Sequence, residues 1–292
     1  MSERPAAKLR QLLARRDRVL AVLGTPNAFH AKIMEAAGCE AAFVGTSITG
    51  GNYTALPDTG VLSATECVQF GGYIARAASF PVILDGDTGH GGPTAVRRLV
   101  EECIRAGLSG VRLDDQPIES KRSTQSAGIE IVTPEQAVAR YRAAVEARDA
   151  LDPDFVVMAQ CYARDAIDGG LATTIERLNL YLSEGGVDWV QFESPHSVDE
   201  IKQVRSAVSG TLSCMQGKLP APLSLGRHLE LGLNIAWYTF LPDRVLKSVC
   251  WDFMHAFAER GLDALREFEP KSSDNPFRPD RSGPTRPDFS TT

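Results

Sequence analysis

Short apolar runs alternate with amphipathic stretches along most of the chain. Each run is four to six residues long, contains β-branched side chains, and is apolar at nearly every position rather than at every second one. Strands of this kind are typical of a parallel sheet whose two faces are both covered by helices. The eight predicted strands are residues 19–24, 41–45, 81–85, 110–113, 155–159, 189–192, 211–215 and 234–238.

The stretches between the runs carry the end signals of α-helices. Ser63 and Thr133 stand where helices would begin, since their side chains can accept a hydrogen bond from the first turn. Pro134 follows at a first helical position, and glycines such as Gly38 and Gly107 suit a left-handed helix stop. The predicted helices between strands are residues 28–37, 64–77, 94–106, 134–150, 172–184, 198–208 and 223–231.

Eight strands in strict alternation with helices predict a (β/α)8 barrel of the TIM type. An open, doubly wound sheet is the alternative, and its nucleotide-binding form has a glycine-rich phosphate turn after the first strand. The chain has GTPN at residues 24–27 instead. The sequence therefore favours the closed barrel.

Both ends of the chain lie outside the alternating pattern. A helix is predicted over residues 5–16, before the first strand, and two more over residues 243–257 and 262–268 form a C-terminal helical extension. We predict one barrel domain over residues 1–269. Residues 270–292 are rich in Pro, Ser and Arg, which predicts a flexible tail.

Composition and charge are those of an ordinary globular protein. Of the 292 residues 43% are hydrophobic and 23% are charged, with a net charge of −6. Neither a basic stripe nor a long apolar segment is present, so we expect no nucleic-acid partner and no membrane partner. The six cysteines form no CxxC pair and the N-terminus has no signal-peptide pattern. We therefore predict reduced thiols and a cytoplasmic location.

Carboxylates follow three of the predicted strands. Asp85 and Asp87 come after the third strand, Asp114 and Asp115 after the fourth, and Glu193 after the sixth. These side chains are expected to converge, because the carboxyl ends of barrel strands meet on the catalytic face. Oxygen ligands without clustered thiols or histidines predict a site for Mg²⁺ or Mn²⁺. For Asp114 and Asp115, taken singly, a salt bridge inside the barrel mouth is an equally good interpretation.

A polar stretch over residues 117–131 follows the fourth strand on the same face. Its length and polarity are typical of an active-site lid. Closure of this lid would bring several polar side chains over a bound ligand. The candidate catalytic residues in it are Lys121, Ser123, Thr124 and Gln125.

Four motifs together resemble the isocitrate lyase and phosphoenolpyruvate mutase superfamily. DGDTGHG at residues 85–91 is similar to its DxDTGYG turn, and DDQ at residues 114–116 to its Glu-Asp-Gln or Glu-Asp-Lys. LPDTG at residues 56–60 resembles its GLPDxG, and residues 121–132 align without a gap on its KRCGHxxGKELV lid. The similarity covers residues 20–254, and the combination is far more specific than any one motif.

The resemblance implies a Mg²⁺-dependent enzyme that breaks a carbon–carbon bond in a small 2-hydroxy or 2-oxo carboxylic acid. The reaction would pass through an enolate of the pyruvate type held on the metal. A homotetramer built as a dimer of dimers is also implied, with a C-terminal helix exchanged between subunits. Two alternatives stay open. One is an oxo-acid decarboxylase or a phosphonopyruvate-type C–P hydrolase or mutase of the same superfamily, and the other is a non-catalytic barrel that binds a small acid.

The same resemblance implies roles for individual residues. Asp85 would bind the metal directly, with Asp87 and Asp114 holding metal-bound waters. Asp58 would lie beside the substrate pocket as a further candidate catalytic residue. The implied substrate-binding residues, after the second, fifth, sixth and seventh strands, are Gly45, Thr46, Ser47, Gln160, Tyr162, Arg164, Glu193 and Gln216.

The chain departs from the family pattern in the lid and at the fifth strand. Ser123 replaces the lid cysteine that acts as general acid in the lyase branch, and Gln125 replaces a histidine. A hydroxyl is a poorer proton donor than a thiol, which argues against isocitrate or 2-methylisocitrate as substrate. Gln160 stands where the family has a carboxylate-binding arginine, unless Arg164 takes that role after a small insertion. Gln160 keeps the strand register and would suit a substrate that is less negative or larger at that end.

Overall fold

The computed structural model describes residues 4–124, 126–268 and 277. Its eight parallel strands pair in sequence order, and the first pairs with the last, so the sheet closes into a barrel. The predicted (β/α)8 fold is therefore confirmed. The strands are β1 Leu20–Gly24, β2 Ala42–Val44, β3 Val82–Asp85, β4 Gly110–Asp114, β5 Val156–Cys161, β6 Trp189–Phe192, β7 Thr211–Cys214 and β8 Ile235–Tyr238.

Helices precede the barrel, connect its strands and follow it. Their N-terminal ends lie where the capping residues predict. The Ser63 side chain accepts a hydrogen bond from the Glu66 N–H, and the Glu66 side chain accepts one from the Ser63 N–H. Thr133 and Gln136 form the same pair of hydrogen bonds. The helices are α1 Pro5–Ala14, α2 Ala28–Ala36, α3 Gly51–Thr54, α4 Ala64–Ala77, α5 Pro93–Arg105, α6 Pro134–Leu151, α7 Leu171–Ser183, α8 Val198–Ala207, α9 Leu225–Glu230 and α10 Leu241–Arg260.

The segment after β2 contains helical turns that the pattern did not predict. A π-helical turn over Thr46–Gly50 leads directly into the short helix α3. The N–H groups of Thr49 and Gly50 both donate to the carbonyl of Gly45, at 2.9 and 3.3 Å. Such wide turns often occur at functional sites. A periodicity search misses them because one turn is too short to show a period.

Alternate residues of each strand face the barrel interior or the surrounding helices. Trp189, Trp237 and Phe43 belong to the inner apolar cluster, and Leu9 and Leu12 of α1 pack against it. On β4, Val111 and Leu113 belong instead to the outer cluster beneath the helices. The inner face of β4 therefore carries Arg112 and Asp114.

Contacts between Cα atoms divide the chain into two compact units, Met1–Pro242 and Asp243–Thr292. The first contains the barrel. The second contains most of α10 and the 3₁₀ helix Gly261–Glu267, with Phe253 packed edge-on against Phe268. A C-terminal helical extension is thus present, with α10 longer than predicted.

The predicted tail over residues 270–292 lies outside the described residues except for Phe277, so the prediction of one barrel domain and a tail stays a prediction. In the part of the chain that the structure describes, no helix is long and apolar enough to cross a membrane.

Candidate active site

The carboxyl ends of the strands surround a cavity of ≈ 50 Å³, together with Lys121 and Thr124 from the segment that is predicted to be a lid. Half of the predicted site residues lie in its wall. The wall is formed by Phe43, Ser47, Ile48, Asp58, Asp85, Arg112, Asp114, Lys121, Thr124, Gln160, Tyr162, Met215, Thr239 and Phe240.

The turn after β3 brings two carboxylates to the cavity. Gly86 has no room for a side chain, because a Cβ there would lie 2.6 Å from Val111 Cγ2. Asp87 adopts a left-handed φ of 55°, and its N–H donates to Asp85 Oδ1 at 3.2 Å. Its own Oδ1 accepts from the Thr88 N–H at 2.8 Å. The turn therefore holds Asp85 and Asp87 side by side although their like charges repel.

Lys121 reaches down from the lid between two carboxylates. Its Nζ lies 2.6 Å from Asp58 Oδ1 and 2.7 Å from Asp87 Oδ2, and its side chain is 5% exposed. Asp58 Oδ1 also accepts from the Thr46 hydroxyl at 2.9 Å. Burial lowers the pKa of Lys121, but the carboxylates around it raise that pKa more, so the net shift is upward. The lysine is a charged link between lid and barrel.

Arg112 is a site residue that the sequence reasoning missed. Its Nη2 donates to Asp85 Oδ2 at 2.8 Å. Its guanidinium carbon lies 4.4 Å from the centre of the Phe43 ring and 5.5 Å from that of Trp237. A single arginine inside an otherwise apolar strand was the available signal, because charged side chains are rarely buried without a partner.

The two adjacent acids after β4 face different surroundings. Asp114 lies in the cavity wall. Asp115 is fully buried and accepts hydrogen bonds from the Tyr181 hydroxyl at 2.7 Å and the Tyr162 N–H at 2.9 Å. Arg177 completes its environment with an ion pair of 3.5 Å. The salt-bridge interpretation therefore applies to Asp115, whereas Asp114 is available to a ligand.

Amide and hydroxyl groups form the opposite side of the cavity. Gln160 Nε2 donates to Glu193 Oε2 at 2.6 Å and to the Tyr162 hydroxyl at 3.2 Å. Gln191 Nε2 donates to the same Glu193 oxygen at 2.8 Å. The hydroxyl of Thr124 in the lid lies 3.4 Å from that of Tyr162. Burial raises the pKa of both Glu193 and Tyr162.

Three predicted residues lie away from the cavity wall. Arg164 forms two hydrogen bonds with Glu200, at 2.8 and 3.1 Å. Gln216 is bonded to two backbone groups. Ser123 is exposed, with its hydroxyl 3.0 Å from that of Ser126. Arg164 is therefore turned to a carboxylate outside the cavity, and Gln160 holds the strand position opposite Asp114 that its register requires.

The remaining predicted residues lie behind the wall or outside the described chain. Thr46, Asp87 and Glu193 bond to wall residues, as given above, and Gly45 directly precedes Thr46. Gln125 lies outside the described residues.

The acidic side of the cavity suits a divalent cation by charge and by donor type. Burial raises the pKa of Asp87 and Asp114, and neighbouring carboxylates raise it further. Carboxylate oxygens are the ligands that Mg²⁺ and Mn²⁺ prefer. Four carboxylates face two cations here: Asp58, Asp85, Asp87 and Asp114 against Lys121 and Arg112.

The side chains would have to shift to coordinate such an ion. Among the described residues, no three or more His, Cys, Asp or Glu side chains are already grouped as metal ligands. Asp85 is bonded to Arg112 and Asp87 to Lys121. A cation coordinated by Asp85 and Asp87 would therefore replace these ion pairs.

By sequence, the chain is similar to enzymes that act on small carboxylic acids. Residues 9–245 match the family described as phosphoenolpyruvate phosphomutase. The 2,3-dimethylmalate lyase of Eubacterium barkeri is 36% identical over 286 residues, which covers 90% of this chain and 96% of that protein. The 2-methylisocitrate lyase of Aeropyrum pernix is 35% identical over 263 residues, covering 89% and 82%.

The chain is also similar to solved structures of enzymes that act on small carboxylic acids. Oxaloacetate acetylhydrolase in complex with the inhibitor 3,3-difluorooxalacetate has a TM-score of 0.82 at 25% identity, covering 88% of this chain and 87% of that one. Phosphonopyruvate hydrolase in complex with oxalate and Mg²⁺ has a TM-score of 0.81 at 25% identity and covers 94% of both chains.

Proposed function

The chain belongs to the phosphoenolpyruvate phosphomutase family, in the isocitrate lyase and phosphoenolpyruvate mutase superfamily, and we propose that it is a lyase of small carboxylic acids. The bond broken is a carbon–carbon bond in a 2-hydroxy or 2-oxo acid. The convergence of four carboxylates with two cations in the barrel mouth carries this proposal. Because the named relatives are enzymes, catalysis is favoured over simple binding of an acid.

We assign a divalent cation, Mg²⁺ or Mn²⁺, to Asp85, Asp87 and Asp114. The excess of carboxylates supports this assignment, as does the Mg²⁺ in the related phosphonopyruvate hydrolase structure. When bound, the cation would stabilise the negative charge that develops on substrate oxygens as the bond breaks.

The turn after β2 is our candidate for orienting the substrate carboxylate. The first N–H groups of a helical turn have no partner within the turn, so those of Thr46 and Ser47 are suited to an anion. Ser47 lies in the cavity wall, and Thr46 bonds to Asp58. These residues would hold the carboxylate end of the substrate beside the metal ligands.

The lid would exclude water and supply polar groups from above. Lys121 ties it to Asp58 and Asp87, and Thr124 reaches the Tyr162 hydroxyl. Lys121 can hold a proton near the reacting bond, since its pKa is raised. Water exclusion strengthens each of these electrostatic contacts.

A second reaction class is favoured by the position of Ser123. Its hydroxyl is exposed, and no cysteine lies in the described cavity wall, so the thiol acid of the lyase branch has no counterpart there. An oxo-acid decarboxylase or a phosphonopyruvate-type hydrolase or mutase would not need that acid. Product analysis with oxaloacetate and with 2,3-dimethylmalate would separate these classes.

We further propose a cytoplasmic homotetramer, a dimer of dimers, acting on a small carboxylate. The six free cysteines support a reducing compartment. Exposed apolar side chains on α10 support association, and sedimentation velocity would measure the assembly. These side chains are Val245, Val249, Trp251, Met254 and Phe257.

Calorimetric titration with oxalate, a planar dianion that imitates a pyruvate enolate, tests the main proposal. We expect binding that requires both Mg²⁺ and Asp85, and therefore none in Asp85→Ala. Asp199→Ala is the matched control, because Asp199 is exposed and forms a surface ion pair with Lys202. Absence of oxalate binding to the wild type with Mg²⁺ would refute the proposed site.

A further inference from the structure

Arg112 is a buried guanidinium in the cavity wall that uses few of its donors. The residue is 7% exposed, and a guanidinium carries five N–H groups. Within the described residues only Nη2 makes a hydrogen bond, to Asp85. Nε is buried and has no hydrogen-bond partner among those residues. A buried charge with unused donors is costly unless a ligand completes it.

Two aromatic rings hold this guanidinium in place. Phe43 and Trp237 lie at 4.4 and 5.5 Å from its central carbon, within the range of cation–π attraction. Restricting the guanidinium in this way reduces the entropy that binding would cost. The unused N–H groups are therefore preorganised for an anion.

No other described cation of the cavity wall is free to bind a carboxylate. Lys121 is already shared between Asp58 and Asp87. Arg164 is outside the wall and paired with Glu200. A guanidinium matches the two oxygens of a carboxylate, which makes Arg112 the suitable anchor.

We propose that Arg112 binds the second carboxylate of a dicarboxylic substrate, the one that the metal ligands and the turn after β2 do not hold. This inference rests on the proposed function. The presence of Gln160 led us to expect a substrate that is less negative or larger at that end. That expectation is revised, because Arg112 on β4 supplies the positive charge that Gln160 on β5 does not. The substrate class is thereby narrowed to dicarboxylic 2-hydroxy or 2-oxo acids.

A matched pair of ligands measures the contribution of the second carboxylate to binding affinity. Malate and lactate share the 2-hydroxy carboxylate, and only malate carries the second one. Their affinities would be measured calorimetrically with Mg²⁺ for the wild type, Arg112→Gln and Arg112→Lys. The control is Arg142→Gln, whose arginine lies on the surface and contacts Glu184.

The wild type is expected to prefer malate. Arg112→Gln should lose roughly 10- to 100-fold in malate affinity, as for a charge-assisted hydrogen bond, while lactate and oxalate change by less than about twofold. Arg112→Lys should keep part of the preference, because it retains the charge but not the two-pronged geometry. The control should match the wild type.

Four results would overturn the inference. Equal loss of malate and lactate in Arg112→Gln would mean that Arg112 serves only as counter-ion to Asp85. Loss of the preference in Arg164→Gln instead would assign the anchor to that residue. Absence of oxalate binding in the wild type would remove the proposed function as well, whereas oxalate binding without a malate preference would remove only the role of Arg112. If Arg112→Gln does not fold, the comparison with Arg112→Lys decides.

Discussion

The two sides of the cavity hold buried negative charge in different ways. The metal side has more carboxylates than cations, and its ion pairs involve Lys121 and Arg112. The amide side has one carboxylate, held by two amide groups. The metal side comprises Asp58, Asp85, Asp87, Asp114, Lys121 and Arg112, and the amide side comprises Thr124, Gln160, Tyr162, Gln191 and Glu193.

This difference separates a side with more carboxylates than cations from a side held together by neutral hydrogen-bond donors. On the metal side, burial raises the pKa of Asp87 and Asp114, and neighbouring carboxylates raise it further. On the amide side, the neutral side chains of Gln160 and Gln191 hold Glu193, which forms no ion pair with a described residue, and Gln160 also connects it to Tyr162. We expect ligand charge to stabilise the metal side, and the amide side to provide shape and hydrogen bonding.

The largest effect on stability is expected from Lys121→Met, which removes the lysine from the metal side. Lys121→Met leaves Asp87, which is 2% exposed, without its cationic partner. Breaking a buried pair in this way should lower the free energy of unfolding by about 4 kcal/mol in the absence of metal. Mg²⁺ should restore more stability to the variant than it adds to the wild type, measured by urea unfolding.

Lys202→Met controls for loss of an exposed lysine, since its pair with Asp199 is at the surface. It should change stability by less than about 0.5 kcal/mol. A Lys121→Met protein as stable as the wild type, or indifferent to Mg²⁺, would contradict the charge imbalance on the metal side.

Asp114→Asn and Asp115→Asn test the metal side with two acids that are adjacent in sequence. Asp114 lies in the cavity wall, whereas Asp115 is paired with Arg177. Asp115→Asn removes the charge opposite buried Arg177 and should cost about 2 kcal/mol, with Mg²⁺ affinity unchanged. Asp114→Asn should leave stability nearly unchanged but weaken Mg²⁺ binding by about tenfold. Unfolding curves and metal titration of both variants test this, and the reverse pattern would exchange the roles of the two acids.

Glu193→Gln tests the amide side through the dependence of stability on pH. Burial raises the folded pKa of Glu193 above its ordinary 4.5, so the unfolded chain loses this proton first as the pH rises. The folded protein therefore loses stability from about pH 4.5 up to the folded pKa. Glu193→Gln should remove that contribution and should therefore be more stable than the wild type above the folded pKa.

The amide of the new side chain can replace the carboxylate geometrically. Its oxygen can accept from Gln160 and Gln191, and its nitrogen would occupy the place of Oε1, which has no hydrogen-bond partner in the part of the chain that the structure describes. Unfolding curves between pH 4 and 8 measure the effect. A pH profile identical to that of the wild type would mean that Glu193 has the same pKa in both states.

The smallest effect is expected from Ser123→Cys. The new thiol would point to solvent beside Ser126 rather than into the cavity, so turnover should change by less than about twofold. Reaction with a thiol reagent, compared with the wild type and its exposed Cys250, should show one additional accessible thiol. A large gain in turnover would instead show that the lid turns this residue inward during catalysis.

The sequence by itself determined the barrel, its strand and helix order, and the edge at which the acids meet. Apolar runs alternating with capped helices predict bounds within two residues of those observed for the strands and for each predicted helix between them, whereas α3 was not predicted. Asp85, Asp114 and Glu193 follow such runs, and the carboxyl ends of barrel strands share one face. These features depend on local spacing and on one general rule of topology.

Only the tertiary structure decided which side chain faces which neighbour. The strands are apolar on both faces, so their sequence carries no alternation that would separate Asp114 from Asp115 or mark Arg112 as inward. Arg164 is turned away by Glu200, 36 residues along the chain, and Lys121 lies between acids that are distant from it in sequence. Such pairings depend on contacts between separate elements, which periodicity within one element cannot encode.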